Sequence, residues 1–324
     1  MGLVNDKNSR LNIMNYEILL YYKYINIPNP DEFCAQQKAL CQKLGFKGRI
    51  IITSEGINGT VEGLRENTQK YVDEMLKDPR FADMNFKRSE GTGSAFPKLS
   101  VKSRTEIVSA HLGDNDVNPN ITTGKYLSAE DLHSWIHSDK EFYIVDMRNE
   151  YEHSVGFFKN SVLPPLKNFR DLPKILPELE HLKNKTVVTV CTGGVRCEKA
   201  SGFLVKHGFK DVYQLHNGIV TYMEKYPNED FLGKLYVFDG RVTMGFNSSD
   251  KPAVIVGKCR KCKVSSEHFV NCAEPSCHDH FICCEKCLDK KGEAFCNWKC
   301  ALLKKLRDTF PMFKHSVKNK RSVW

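Results

Sequence analysis

Hydrophobic and polar positions follow a strand period in some stretches and a helix period in others, and their order along the chain predicts a succession of separate units. Residues 16–25 form an apolar run, followed by Asn29-Pro30-Asp31 as a helix start and an amphipathic stretch over 33–44 that Gly45 closes. Residues 49–53 and 59–62 read as a hairpin around Ser54-Glu55-Gly56-Ile57-Asn58. A helix over 67–77 and short strands near 86–88 and 98–109 complete the series. Strand, helix, two strands, helix, strand is the order of a ferredoxin-like split βαβ unit. An α+β domain is therefore expected over residues 14–112, behind a flexible tail at 1–13. Its Asn58-Gly59-Thr60 has the form of a glycosylation triplet but suits a tight turn.

The polar stretch 113–123, with Asn115, Asp116, Asn118, Pro119 and Asn120, reads as a linker. After it, Ser128-Ala129-Glu130-Asp131 caps a helix reaching Ser138, and strands at 142–146, 186–191 and 212–215 alternate with helices. Such alternation builds a parallel sheet with helices on both faces, an α/β domain over 124–230. Residues 231–303 then hold a hairpin and a cysteine-rich module, and residues 304–324 a basic tail.

Between the predicted strand at 186–191 and the following helix lies Cys191-Thr192-Gly193-Gly194-Val195-Arg196-Cys197. A thiol at a strand-to-helix junction meets converging backbone N–H groups and the positive end of the helix dipole, and Arg196 adds charge, so a nucleophilic thiolate is expected at Cys191. The glycines are expected to leave its sulfur uncovered and facing solvent. The bland alternative is a small buried cysteine that fills space. Arg196 follows at C-x4-R, one residue short of the C-x5-R spacing with which cysteine phosphatases wrap a phosphate, which argues against that chemistry. Cys197 reads either as a resolving thiol or as a packing residue in the first helical turn. No flavin, haem or iron-ligand motif is visible, which directs activation to the substrate or to an unseen cofactor.

Length and composition narrow the setting. A chain of 324 residues calls for two or three domains. Thirteen cysteines without an apolar leader over residues 1–14 point to a reducing cytosol, where grouped cysteines bind metal or do chemistry. No run reaches membrane-spanning length, and Asp6 stands where a myristoylation signal on Met1-Gly2 needs Ser or Thr. A cytoplasmic protein is expected. Residues 258–324 hold 15 Lys and Arg against 7 Asp and Glu, nearly all of the net charge of +9. Its steepest part is Lys304, Lys305, Arg307, Lys314, Lys318, Lys320 and Arg321, interleaved with Phe310, Phe313 and Trp324. That mixture suits RNA phosphates and stacked bases, although a basic tail can equally be only a solvated one.

The cysteines of the last region come in four pairs, Cys259-x2-Cys262, Cys272-x4-Cys277, Cys284-x2-Cys287 and Cys296-x3-Cys300. Each spacing lets two sulfurs reach one tetrahedral ion, so two structural zinc ions are expected. If the pairs alternate, first with third and second with fourth, the module is cross-braced and has almost no hydrophobic core of its own. Cys283, His278 and His280 are substitute ligands, and a metal-free cluster is the alternative.

Several of these segments also carry a resemblance. Val145-Asp146-Met147-Arg148-Asn149-Glu150-Tyr151-Glu152, Ala200-Ser201, Gly208-Phe209 and Leu215-His216-Asn217-Gly218-Ile219 resemble a rhodanese domain. Together with Ser54-Glu55-Gly56-Ile57-Asn58-Gly59-Thr60, the loop 191–201 and the cysteine-rich end, the whole order resembles the tRNA uridine hydroxylase family. The resemblance implies that Cys191 is the essential thiol and that molecular oxygen is a substrate. It implies further that the wobble uridine, position 34 in the anticodon stem-loop of certain tRNAs, becomes 5-hydroxyuridine. It assigns neither the electron donor nor the oligomeric state. By the same likeness Asp146 and Arg148 form a structural ion pair at the strand end, and His216 and Glu198 have weaker claims to chemistry. The rivals are a sulfurtransferase carrying a Cys191 persulfide, whose charge the loop amides would also stabilise, and a non-catalytic RNA-binding adaptor.

Overall fold

The apolar run near the start is β1 (Tyr16–Tyr24), and it is apolar on both faces because both faces are covered. Leu19 and Tyr21 point into a core shared with Phe33, Ile50, Ile52, Tyr71 and Phe81, whereas Leu20 packs against the core of the next domain. The computed structural model describes residues 15–246 and 251–309. In the first domain α1 (Pro30–Lys43) and α2 (Arg65–Leu76) cover one face of a sheet of β1, β2 (Lys47–Thr53), β3 (Gly56–Leu64), β4 (Lys87–Glu90) and β5 (Leu99–Ser103). The order β4-β1-β3-β2 is the ferredoxin-like one, with antiparallel neighbours. β5 adds a fifth strand, parallel to β2, and is shorter than the 98–109 expected from the sequence.

The connecting segment is held rather than loose. Leu112 and Val117 are buried, and Asp116 accepts from Lys199 of the second domain at 2.8 Å.

The second domain holds β6 (Lys125–Leu127), α3 (Ala129–Ile136), β7 (Tyr143–Asp146), α4 (Glu150–His153), β8 (Gly156–Phe158), α5 (Leu176–Leu179), β9 (Thr186–Val190), α6 (Val195–Lys206), β10 (Asp211–Leu215) and α7 (Gly218–Lys225). Its sheet is parallel in the order β6-β10-β9-β7. β9 lies inside that sheet, and Val187 to Val190 are all fully buried, which is why the strand is continuously β-branched rather than alternating. One sheet face packs on α6 through Ala200, Phe203 and Leu204, the other on α3 and α7 through Leu132, Ile219 and Tyr222.

The last region is joined to the second domain by β11 (Phe231–Gly233), which pairs with β8. Two short hairpins follow, β12 (Leu235–Tyr236) with β13 (Thr243–Met244) and β14 (Phe269–Asn271) with β15 (His280–Ile282), and then α8 (Trp298–Thr309). Its buried cluster consists largely of cysteines, with Phe281 and Ala294. No helix among the described residues is long and apolar enough to cross a membrane. The expected tail at 1–13 and the residues Phe310, Phe313, Lys314, Lys318, Lys320, Arg321 and Trp324 lie outside the described residues.

Candidate active site

Cys191 follows directly on β9, and Gly194 turns the chain into α6 with φ of +104°. The N–H of Gly194 donates to Cys191 Sγ at 3.2 Å. Burial alone would raise the thiol's pKa. It is outweighed by a hydrogen bond from the Cys197 thiol, the charge of Arg196 and the N–H groups of Cys197 and Gly194, which bring the group down to about 6. Cys197 moves the opposite way, pushed up by burial and by the neighbouring thiolate. So Cys197, in the first turn of α6, is the protonated donor of the pair. Behind the loop, the start of α7 closes it. Ile219 and Val220 donate to the carbonyls of Cys191 and Thr192 at 2.9 and 3.1 Å. Gly218 (φ +75°) admits this approach, since a Cβ there would lie 2.7 Å from the Cys191 carbonyl oxygen.

Arg196 is anchored by a buried carboxylate. Its two terminal nitrogens donate to Glu152 at 2.5 and 2.8 Å, and Glu152 also accepts from Thr192 Oγ1 at 3.3 Å and from the Asn149 N–H at the start of α4. Burial would lower the guanidinium pKa, but Glu152 and the Cys191 thiolate hold it well above its ordinary value. In the sequence Glu152 is only the last residue of the segment Val145 to Glu152; its pairing with Arg196 comes from the fold. Removing the guanidinium strands a fully buried carboxylate, so Arg196→Met is expected to destabilise the protein by about 3–5 kcal/mol, read as a shift of the urea midpoint. An unchanged midpoint would contradict this. Asp146 and Arg148 form a second buried pair. Arg148 Nε donates to Asp146 Oδ1 at 2.9 Å and Nη2 donates to Oδ2 at 2.6 Å and to the Gly156 carbonyl at 2.7 Å. Burial opposes ionisation of Asp146, yet Arg148 and His153 hold the carboxyl well below the usual range.

The expectation of an uncovered sulfur is corrected by the first domain. Cys191 is 0 % exposed because β1 lies across the loop. A Cβ on Gly193 would come within 3.0 Å of Leu20 Cδ2, and one on Gly194 within 2.6 Å of the Tyr22 hydroxyl. The two glycines therefore admit the covering strand instead of leaving the sulfur open. Beside the covered sulfur a cleft of about 260 Å³ runs between the domains, lined by Tyr22, Lys87, Tyr126, Glu198, His216 and Asn217 among others. Glu198 accepts from Tyr22, Tyr126 and Gln214 at 3.0 to 3.1 Å, tying β1 to the second domain. Burial pulls the Lys87 ammonium down to about 8, partly offset by the Cys191 and Glu198 charges. His216 is lowered by burial and by Lys87, and its ring lies 5.1 Å from that of Tyr126. Tyr22 and Lys87 had no local signal in the sequence, since they reach the loop only through the docking of two domains.

In the last region the sulfurs of Cys259, Cys262, Cys284 and Cys287 lie within 4.8 Å of one another, and so do those of Cys272, Cys277, Cys296 and Cys300. First pair meets third and second meets fourth. Sγ separations of 3.5 Å for Cys262 and Cys284 and 3.4 Å for Cys277 and Cys296 are far longer than a disulfide and near the edge of about 3.8 Å of a thiolate tetrahedron around one ion. Each tetrad can thus hold a metal ion. Cys283, His278 and His280 stand outside both, with His280 stacked on Phe269. Of the basic residues expected to meet RNA, Arg307 instead pairs with buried Glu274 at 2.6 Å and Lys304 with Asp308 at 2.6 Å, while Lys305 is exposed.

Comparison with known proteins agrees in extent with this architecture. Family models match at residues 16–107 (UPF0176 acylphosphatase like domain), 128–225 (Rhodanese-like domain) and 232–301 (Rhodanase C-terminal). Similar over most of the chain are proteins named tRNA uridine(34) hydroxylase. The Bacillus licheniformis protein is 46% identical, over 84% of this chain and 84% of its own. That of Cytophaga hutchinsonii is 44% identical over 88% and 90%, and that of Staphylococcus haemolyticus 43% over 89% and 89%. With a likeness of that depth running through all three regions, the chain belongs to the tRNA uridine(34) hydroxylase family.

Proposed function

We propose that this chain hydroxylates uridine 34 of tRNA, the wobble base, to 5-hydroxyuridine, with Cys191 as the nucleophile. The observation that carries the reading is the Cys191 thiol brought down to about 6 beside an aromatic and cationic cleft, in a chain of this family. The thiolate adds to C6 of the uracil, and the electron pair of the C5–C6 double bond moves toward C5 and the adjoining carbonyl. Lys87 supplies positive charge for that electron-rich ring. Molecular oxygen delivers one atom to C5; the other leaves as water, with two electrons and two protons from an external reductant. Loss of the C5 proton then expels the thiolate and restores the double bond. A base stacked in an anticodon loop does not reach a sulfur recessed behind β1, so the uridine is unstacked on entry, and the 55 % exposed ring of Tyr126 offers a replacement surface. Stacking of that kind contributes about 1–3 kcal/mol per base.

The anticodon stem-loop is the partner this reading requires. Exposed Lys167 and Lys258 line a broad cleft of about 1470 Å³ between the second domain and the cysteine module, where they could meet phosphates beside the Arg260 to Asp279 pair. Each thiolate tetrad is read as a structural zinc site, because four sulfurs at short spacing suit that ion and complete an otherwise coreless module. With tRNA as its substrate, the enzyme is read as a cytoplasmic one. The test is nucleoside mass spectrometry of tRNA from a strain lacking the corresponding gene. 5-Hydroxyuridine and its derivatives are expected to disappear and to return on complementation with this chain; tRNA of unaltered composition would overturn the reading.

A further inference from the structure

In the second domain, apart from the cysteine tetrads, four side chains of metal-ligating type meet at one point. His133 lies in α3 and His137 directly beyond its end, four residues apart, so their rings share one face with centroids 4.4 Å apart. Past α7 the chain turns at Asn228 (φ +58°) and presents Glu229 and Asp230 to the same point. One ligand atom from each of the four lies within 4.8 Å of the others. Asp230 Oδ2 is 3.2 Å from His133 Nδ1 and 3.2 Å from His137 Nε2, and a Glu229 carboxylate oxygen is 4.0 Å from His133 Nε2.

We propose that His133, His137, Glu229 and Asp230 bind a divalent transition-metal ion, with zinc the best match. Bonds of about 2.0–2.1 Å at tetrahedral angles put neighbouring ligand atoms about 3.3 Å apart. The two 3.2 Å separations, which share Asp230 Oδ2 and use His133 Nδ1 and His137 Nε2, already stand at that value; a rotation of Glu229 that exchanges its contact with Lys251 for the ion brings its carboxylate to the remaining position. Two imidazoles with two carboxylates are a donor set that zinc accepts readily. The supporting contacts are of the kind that fix metal ligands. Tyr222, fully buried, donates to Asp230 Oδ2 at 2.6 Å, and Tyr226 stacks on the His133 ring at 3.9 Å with 3° between planes. The carbonyl end of α3, negative in its dipole, faces the same place. Without metal, both ring nitrogens rest in hydrogen-bond contact with Asp230 Oδ2, and the ion would take the place of those contacts. It would fasten the end of α3 to the segment entering β11, where the Asp230 carbonyl accepts from the Lys159 N–H at 2.9 Å. This site does not depend on the tRNA chemistry.

Equilibrium dialysis of the full-length protein against a zinc buffer, followed by elemental analysis, tests it. The cysteine tetrads contribute equally to wild type and variants, so the reading is a difference. Wild type is expected to hold one zinc per chain more than His137→Ala and more than Glu229→Gln. His137 is half-exposed and Glu229 partly exposed, and matching circular dichroism in the dialysed state verifies that both variants keep the fold. Equal zinc in wild type and the two folded variants would overturn the proposal.

Discussion

Cys191→Ser is expected to remove 5-hydroxyuridine from tRNA in a complemented deletion strain, with a loss of at least about a thousandfold in rate, the scale on which an enzyme loses activity when its nucleophile is replaced. A serine hydroxyl at this position meets the same amides and the same guanidinium but stays protonated at neutral pH, so it cannot add to C6. The thiol, at about 6, is ionised there. The sign of the pH dependence follows: with the thiolate as the reactive form, kcat/KM rises as pH increases through about 6 and reaches a plateau above it. Because the sulfur is covered by Leu20 and Tyr22, its alkylation in the free enzyme is expected to be slow despite its ionisation. The substitution is nearly isosteric, so the urea midpoint should stay close to that of wild type. Normal 5-hydroxyuridine levels with the serine variant would remove Cys191 from the mechanism, whatever the thiol's state.

The second large effect concerns metal. Chelation that strips both tetrads is expected to unfold the cysteine module while the two preceding domains keep their secondary structure. Structural zinc in small peptide modules supplies about 10–16 kcal/mol of apparent folding free energy at neutral pH. Here the buried cluster is six residues, four of them cysteines, so apolar burial cannot substitute for the ions. Limited proteolysis reads the outcome, with cuts appearing within residues 259–309 after chelation and being suppressed when zinc is restored. Once the second tetrad loosens, α8 loses Cys300 as an anchor, while the Arg307 to Glu274 pair remains. A stripped protein that resisted cleavage there would show that the tetrads do not hold this module together.

What could be read from the sequence was what is local. The stretch from β9 through the loop to α6 is a strand, a glycine turn and a helix in direct succession, so the surroundings of Cys191 follow from neighbours within a few residues. The short spacing within each cysteine pair is equally local, but it permits several ways of joining the pairs, and only the fold joins first with third and second with fourth. Long-range docking was illegible. Nothing near Leu20, Tyr22 or Lys87 marks them as neighbours of a loop some hundred residues or more away, so in the sequence the glycines read as an opening, whereas in the fold they make room for β1. The connecting segment misled for a related reason: its polar composition reads as free chain, yet Asp116 is an ion-pair partner of a buried lysine. Arg307 likewise counts toward basic charge in the sequence and is neutralised by Glu274 in the fold.

Glu198 and Lys199 stand side by side on α6, the first accepting from Tyr22 of β1 and the second, fully buried, pairing with Glu55 and Asp116 at 2.8 Å. The helix whose leading amides charge the sulfur is thus also the bracket on which the amino-terminal domain is mounted. Prising that mounting apart far enough to let a nucleotide in tugs on the same helical turn. If a nucleotide enters there, admission of the base and stabilisation of the thiolate draw on the same turn of α6, and the proposed chemistry would couple the two like an interlock.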